Sequence, residues 1–294
     1  MSGFDPDWLA LREAADARAR AGTLAELLRR PGEWDEPLRV LDLASGTGAN
    51  LRYLAPRVGG RQEWLLTDVD RRLLDTLPAV METWAAARGY RLSGSAGSAW
   101  ISGPDFVCGF RLLHIDLARG LERLPIQGQG LVTASALLDL VSSYWVAALV
   151  TRCREAGSQV LFALTYDGRV ELDPAAADDA LVIGLVNRHQ RTDKGFGPAL
   201  GPLASDTTEI ELLRQGYGAR RVPSDWRIEA GEIELQQDLL QGWARAATQM
   251  APEWKGRVDA WCARRMHLLQ SGISRILVGH QDLLGLLPDQ QAAS

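Results

Sequence analysis

Val40-Leu41-Asp42-Leu43-Ala44-Ser45-Gly46-Thr47-Gly48-Ala49-Asn50 is the stretch whose reading decides the fold. A short apolar run, of the length expected for a buried strand, ends in a carboxylate and then in glycines at alternate positions. Gly46 and Gly48 carry no Cβ, so the backbone can turn sharply there and a ligand can come close. Asn50 to Leu54 then starts a helix. Strand, glycine turn and helix in that order place a ligand at the carboxyl edge of the first strand of an open α/β sheet.

Outward from this stretch, short apolar runs alternate with helical patterns. Glu63 to Asp68 reads as a second strand and Arg71 to Arg88 as a second helix. Phe106 to Ile115 is a third strand, with a possible interruption at Gly109. Gly130 to Ser135 is a fourth, followed by a helix from Ser143 to Glu155, and Gln159 to Leu164 is a fifth. Such alternation implies right-handed βαβ units and a mostly parallel sheet. Ahead of it, Asp7 to Arg30 reads as one or two helices with Asp7 as a cap, and Pro31, Gly32 and Pro37 mark a loop. After it, Asp173 to Gln190 is helical and Arg191 to Ser205 is a Gly/Pro-rich loop. Asp206 and Glu209 open the helix Thr207 to Gly216 as a capping box. Ala219 to Pro223 is a strand, Glu232 to Leu269 is helical with a break at Pro252, and Ser274 to His280 is a last strand.

Bulk properties exclude several classes. Of 294 residues, 46% are hydrophobic and 23% charged, which excludes extended disorder and is enough for a large core. A net charge of -5 with no dense Lys/Arg run argues against a nucleic-acid partner. Cys108, Cys153 and Cys262 lie far apart with neither zinc nor redox spacing, so no metal site is expected and reduced thiols fit a cytoplasmic protein. Leu131 to Val150 has the length of a membrane span, but Asp139 and its hydroxyl residues break it, and the N-terminal stretch lacks a signal-peptide core. No membrane association is expected.

Two kinds of cofactor compete for the glycine turn. A dinucleotide loop needs a third glycine, where this chain has Leu51, and holds a pyrophosphate that Asp42 would repel. A sulfonium cofactor with an aminoacyl end carries an ammonium instead, which Asp42 can receive directly or through water. The alternative for Asp42 is a purely structural one, capping the loop. The segment Asp42-Leu43-Ala44-Ser45-Gly46-Thr47-Gly48-Ala49-Asn50 resembles the first signature of the class I S-adenosylmethionine-dependent methyltransferases, with Ala44 where the first glycine usually stands. Three later segments resemble further signatures. Asp68 closes the second strand about 20 residues on, where the resemblance implies hydrogen bonds to both ribose hydroxyls, with Val69 beside the adenine; Asp70 is its rival. In His114-Ile115-Asp116-Leu117 it implies that Asp116 receives the adenine amino group and the Leu117 amide a ring nitrogen. Ser135, in Thr133-Ala134-Ser135-Ala136-Leu137-Leu138-Asp139, would stand beside the transferable methyl. The resemblance spans residues 38–165, with a return at 219–223 and 274–280.

It implies a doubly wound, mostly parallel seven-stranded sheet with a Rossmann-like methyltransferase fold. The chain then reads as one domain: an N-terminal helical cap (1–37), a cofactor-binding core (38–166), a helical and loop insertion after strand five acting as lid (167–205), and the second half of the fold (206–294). The expected activity is S-adenosylmethionine-dependent methyl transfer to a small molecule, at oxygen or nitrogen, by direct in-line displacement. The alternatives are a non-catalytic cofactor-binding module and a nicotinamide-dependent oxidoreductase.

The sulfonium is already a strong electrophile, so transfer needs alignment above all, and a base only where the acceptor must lose a proton. Asp139 and His189 are the candidate catalytic residues. Asp139 alternatively caps the helix after strand four, and His189 is alternatively a hydrogen-bonded helix-end histidine. Asp193 and Lys194 either recognise a charged substrate or pair with each other. His114 reads as a core residue. Trp8 is the tryptophan most expected at the site, since an N-terminal helix can cover it.

Overall fold

The computed structural model describes residues 5–28, 36–95 and 98–288. The end of the N-terminal helical stretch at Arg30 and the Pro31–Gly32 turn lie outside these. Asp5, not Asp7, caps the first helix, α1 (Pro6–Ala19), by accepting from the Asp7 amide, and α2 (Gly22–Glu26) follows. The expected βα units come next: β1 (Leu38–Leu43), α3 (Ala49–Val58), β2 (Gly60–Asp68) and α4 (Arg71–Ala87). Then a hairpin, β3 (Arg91–Ser95) and β4 (Ser98–Ser102), precedes β5 (Phe106–His114), which runs unbroken through Gly109 opposite Trp100. The short α5 (Leu117–Gly120), β6 (Leu131–Ser135), α6 (Ser143–Glu155) and β7 (Gln159–Asp173) complete the first half. The second half holds α7 (Asp179–Gln190), α8 (Ala204–Arg214), β8 (Gly218–Pro223), β9 (Trp226–Ile228), α9 (Ile233–Met250), α10 (Lys255–Gln270) and β10 (Arg275–Leu286).

The sheet has ten strands rather than seven, in the order β3-β4-β5-β2-β1-β6-β7-β10-β8, with β9 paired to β10. Strands β5, β2, β1, β6 and β7 are parallel, and β10 enters antiparallel between β7 and β8. The three unanticipated strands are peripheral. β3 (Arg-Leu-Ser-Gly-Ser) has no apolar alternation, and β9 is three residues long and pairs only with one end of β10. The larger departure is β7. It runs on to Asp173, because the antiparallel β10 pairs with it from Val160 to Asp173, so the insertion expected from residue 167 begins as sheet. Val170 and Leu172 carry the period-two signal for this. The capping box at Asp206 is also absent: α8 starts at Ala204, and the Asp206 carboxylate pairs with Arg221 instead.

Strand periodicity explains the two-sided burial. Val40 packs with α3 and α4 residues such as Leu54, Leu77 and Met81, whereas its neighbours Leu41 and Leu43 pack with Val146, Leu149 and Leu212 of α6 and α8. A third cluster joins α1, α7, α9 and α10 over the far part of β7 and β10, with Trp261 fully buried within it. Cys108 and Cys153 are buried free thiols. Among the described residues, no helix is long and apolar enough to cross a membrane.

Candidate functional site

At the end of β1 the chain takes left-handed conformations at Ala44 (φ 51°), Gly46 (φ 54°) and Gly48 (φ 83°). At Gly48 a Cβ would stand 2.3 Å from Met81 Cε, which would have to move, and the positive φ strains any residue but glycine. Ala44 occupies the same backbone region without being glycine, which marks strain at the loop's entry. The Ser45 amide donates to the Thr67 carbonyl (2.8 Å), tying the loop to β2, and α3 begins immediately after Gly48.

A cleft of about 580 Å³ opens over this loop. Three strand-end carboxylates line it: Asp42 from β1, Asp68 from β2 and Asp116 after β5. Asp42 is fully buried. Its Oδ1 accepts from Asn50 Nδ2 (2.7 Å), while Oδ2 has no partner. Burial pushes its carboxyl up to about 7, against the opposing pull of the Asn50 hydrogen bond and the Arg20 charge. Asp68 accepts from the amides of Gly46 and Asp70, each at 2.8 Å, so one carboxylate braces the glycine turn and the loop after β2. Burial raises its carboxyl as well. Asp70, which also lines the cleft, caps α4 and pairs with Arg72. Val69 lines the cleft and is 58% exposed. Asp116 caps α5 through the Ala118 amide (2.9 Å), and Leu117 beside it is held through its carbonyl by Trp145 Nε1 (2.9 Å).

His114 departs from its expected place in the core. It is exposed, lines the cleft, and its Nε2 lies 2.9 Å from the Val69 carbonyl oxygen. As the last residue of β5 it points out at the strand's edge, where no helix covers it.

The other end of the cleft is closed by segments far apart in sequence. Ser135, Ala136, Leu137 and Leu140 come from the end of β6, and Gly195 and Phe196 from the loop after α7. Asp193 shapes that loop by accepting from the Gly195 and Gly197 amides (2.6 and 3.0 Å), and Phe196 meets Trp145 edge-on at 5.5 Å. Asp193 and Lys194 therefore do not pair, since Lys194 Nζ donates to the His189 carbonyl and to Thr192. α1 forms the roof through Leu9, Arg12 and Asp16, not through Trp8, which packs into the third core cluster. The spacing of these residues, three and then four apart, puts them on one helical face, a local signal that does not by itself say what the face meets.

Of the two candidate catalytic residues, His189 does not line the cleft. Its Nε2 contacts Gln249 Oε1 (3.0 Å), and burial and Lys194 lower its pKa. Asp139 does not line the cleft either; it is buried at 7% exposure in a 3-10 turn, directly behind the lining residues Leu137 and Leu140. Burial raises its carboxyl to about 6, with Arg12 and Lys194 the nearby cations that oppose the shift. It caps no helix; Ser142 caps α6.

No family model and no curated protein matches the chain. Solved structures do. Several of these are S-adenosylmethionine-dependent methyltransferases. A methyltransferase from Geobacter sulfurreducens in complex with S-adenosyl-L-homocysteine is 14% identical with a TM-score of 0.44, covering 95% of this chain and 98% of that one. A cyclopropane-fatty-acyl-phospholipid synthase-like protein from Lactobacillus casei is 13% identical with a TM-score of 0.48, covering 94% and 92%. Magnesium protoporphyrin IX methyltransferase from Synechocystis with bound SAM is 11% identical with a TM-score of 0.41, covering 76% and 80%.

Proposed function

We propose that this chain is an S-adenosylmethionine-dependent methyltransferase acting on a small-molecule acceptor at oxygen or nitrogen. The observation that carries the reading is the convergence of Asp42, Asp68 and Asp116 with the glycine turn and Ser135 on a single cleft. Asp42 Oδ2 is a buried carboxylate oxygen without a partner, a costly feature unless a cation completes it, and the cofactor's ammonium is such a cation. Asp68 faces the sugar and Asp116 with the Leu117 amide the adenine. At the position of the third dinucleotide glycine, Leu51 is fully buried, which disfavours the nicotinamide alternative.

When bound, the cofactor supplies an electrophilic methyl group, so the protein's task is alignment and water exclusion. The α1 roof and Phe196 enclose the acceptor end, and the cleft has the volume typical of small-molecule sites. Asp139 is the proton acceptor for a hydroxyl or ammonium substrate, with Arg12 and Lys194 holding its charge. His189 contributes through its carbonyl, which anchors Lys194.

Calorimetric titration with S-adenosyl-L-homocysteine tests the reading. One site per chain is expected, and no heat at saturating ligand would remove it.

A further inference from the structure

Arg20 and Asp42 stand on opposite sides of Asn50. Asn50 donates through Nδ2 to Asp42 Oδ1 and accepts through Oδ1 from Arg20 Nη1, both at 2.7 Å. Each charged group keeps one buried atom without a partner, Oδ2 on Asp42 and Nε on Arg20. Arg20, just past the end of α1, is 7% exposed and stacks over the Tyr53 ring at 4.1 Å; Arg57 also stacks on Tyr53, at 3.8 Å. Burial works against the guanidinium charge, and Asp282, Asp16 and Asp42 oppose that effect.

Arg20 lines a second cavity, of about 160 Å³, which shares Asp16, Ala49, Asn50 and Ser135 with the large cleft. Four arginines face it (Arg20, Arg52, Arg57 and Arg88) against two acids, Glu13 and Asp16. Arg52 is bound to Glu13, and Asp16 to Arg12. Among the described residues Arg20, Arg57 and Arg88 have no ion-pair partner, so the cavity carries surplus positive charge. Asn50 lines both cavities and joins them, with Asp42 bonded to it on the side of the large cleft and Arg20 on the side of the small one. Ammonium and carboxylate of an α-amino acid share one carbon. A receptor for both needs opposite charges one side chain apart, and Asn50 sets that spacing.

We propose that this second cavity is a carboxylate-binding extension of the cleft, in which Arg20 recognises the α-carboxylate of the cofactor's aminoacyl end. The proposal rests on the cofactor reading above. It assigns the N-terminal segment a part in cofactor recognition, beyond roofing the cleft, and requires that segment to be in place before the aminoacyl end is held.

The test compares two ligands by calorimetry on the full chain. S-adenosyl-L-homocysteine carries the aminoacyl end, whereas 5′-deoxy-5′-methylthioadenosine has the same nucleoside and thioether without it. Arg20→Gln should weaken the first by about tenfold or more, the worth of a charge-assisted hydrogen bond, and leave the second nearly unchanged. Arg57→Gln/Arg88→Gln, made at two exposed positions, keeps the fold and should weaken the first ligand alone, by a smaller factor that shrinks at high salt. Equal weakening of both ligands, or of neither, overturns the proposal, and where Arg20→Gln does not fold the double variant decides. Failure of both ligands to bind the unmodified protein would instead overturn the cofactor reading itself.

Discussion

Over β5, β2 and β1 the carboxyl edge of the sheet carries its functional groups on the strands themselves. Over β6 and β7 it borrows them from α1, the 3-10 turn at Asp139 and the loop at Phe196. On the first side the carboxylates lie at or just past strand ends and are held by residues close by in sequence: Asp68 by the Gly46 and Asp70 amides, Asp116 by the Ala118 amide and Asp42 by the Asn50 side chain. On the second, residues separated by well over a hundred positions meet, such as Asp16 and Trp226 (3.0 Å) in the roof. A site built from strand ends depends on the sheet alone. One assembled from distant segments depends on how loops and outer helices dock, so it can change its ligand without changing the fold.

Three substitutions sharpen or break this division. The largest effect is expected at Asp139. Replacing it with Asn should slow turnover by about 10² to 10⁴, the range for loss of a positioned proton acceptor, with cofactor affinity unchanged. Because the carboxyl is raised to about 6, it is protonated below that pH and ionised above, so activity should climb through pH 6 and then level off. Asp139→Asn should abolish that limb. The sign for stability is opposite. A folded pKa above the unfolded value favours the folded state at low pH, and this is lost as pH rises through about 6. Thermal melts of Asp139→Asn should show a flatter pH dependence than the parent. Turnover that keeps its limb in the variant would detach Asp139 from the chemistry.

Asp68→Ala should weaken S-adenosyl-L-homocysteine binding by about 2–4 kcal/mol, through two lost hydrogen bonds to a charged acceptor and release of the Gly46 amide. Unchanged affinity in a folded variant would break the cofactor side of the comparison. The smallest effect is expected at His189. His189→Ala removes a contact to Gln249 outside the cleft, so stability should shift by less than about 0.5 kcal/mol and turnover should barely change. A tenfold slower reaction with intact cofactor binding would bring His189 back as a catalytic group.

Much of the fold was readable because the signals are local. The run Val40–Leu43, the helix Ser143–Glu155 and the break at Pro252 each follow from composition and periodicity over a few residues. β3, β9 and the far half of β7 were not readable. Their residues become strands by pairing with partners elsewhere, β7 with a β10 that lies more than a hundred residues away. His114 follows the same rule: its apolar strand suggested burial, yet its position at the sheet's rim left it exposed beside Val69.

The amino-acid order alone determined the alternating strand and helix pattern, the glycine turn at Gly46 and Gly48, and carboxylates at the ends of three strands, because each depends on backbone conformation and side-chain periodicity within one segment. Tertiary structure alone decided that Leu9, Arg12 and Asp16 close the cleft, that His189 falls outside it, and that Arg20 comes within a hydrogen bond of Asn50. Contacts between remote segments are set by how packed faces fit together, and that fit has no signature in any single stretch of chain.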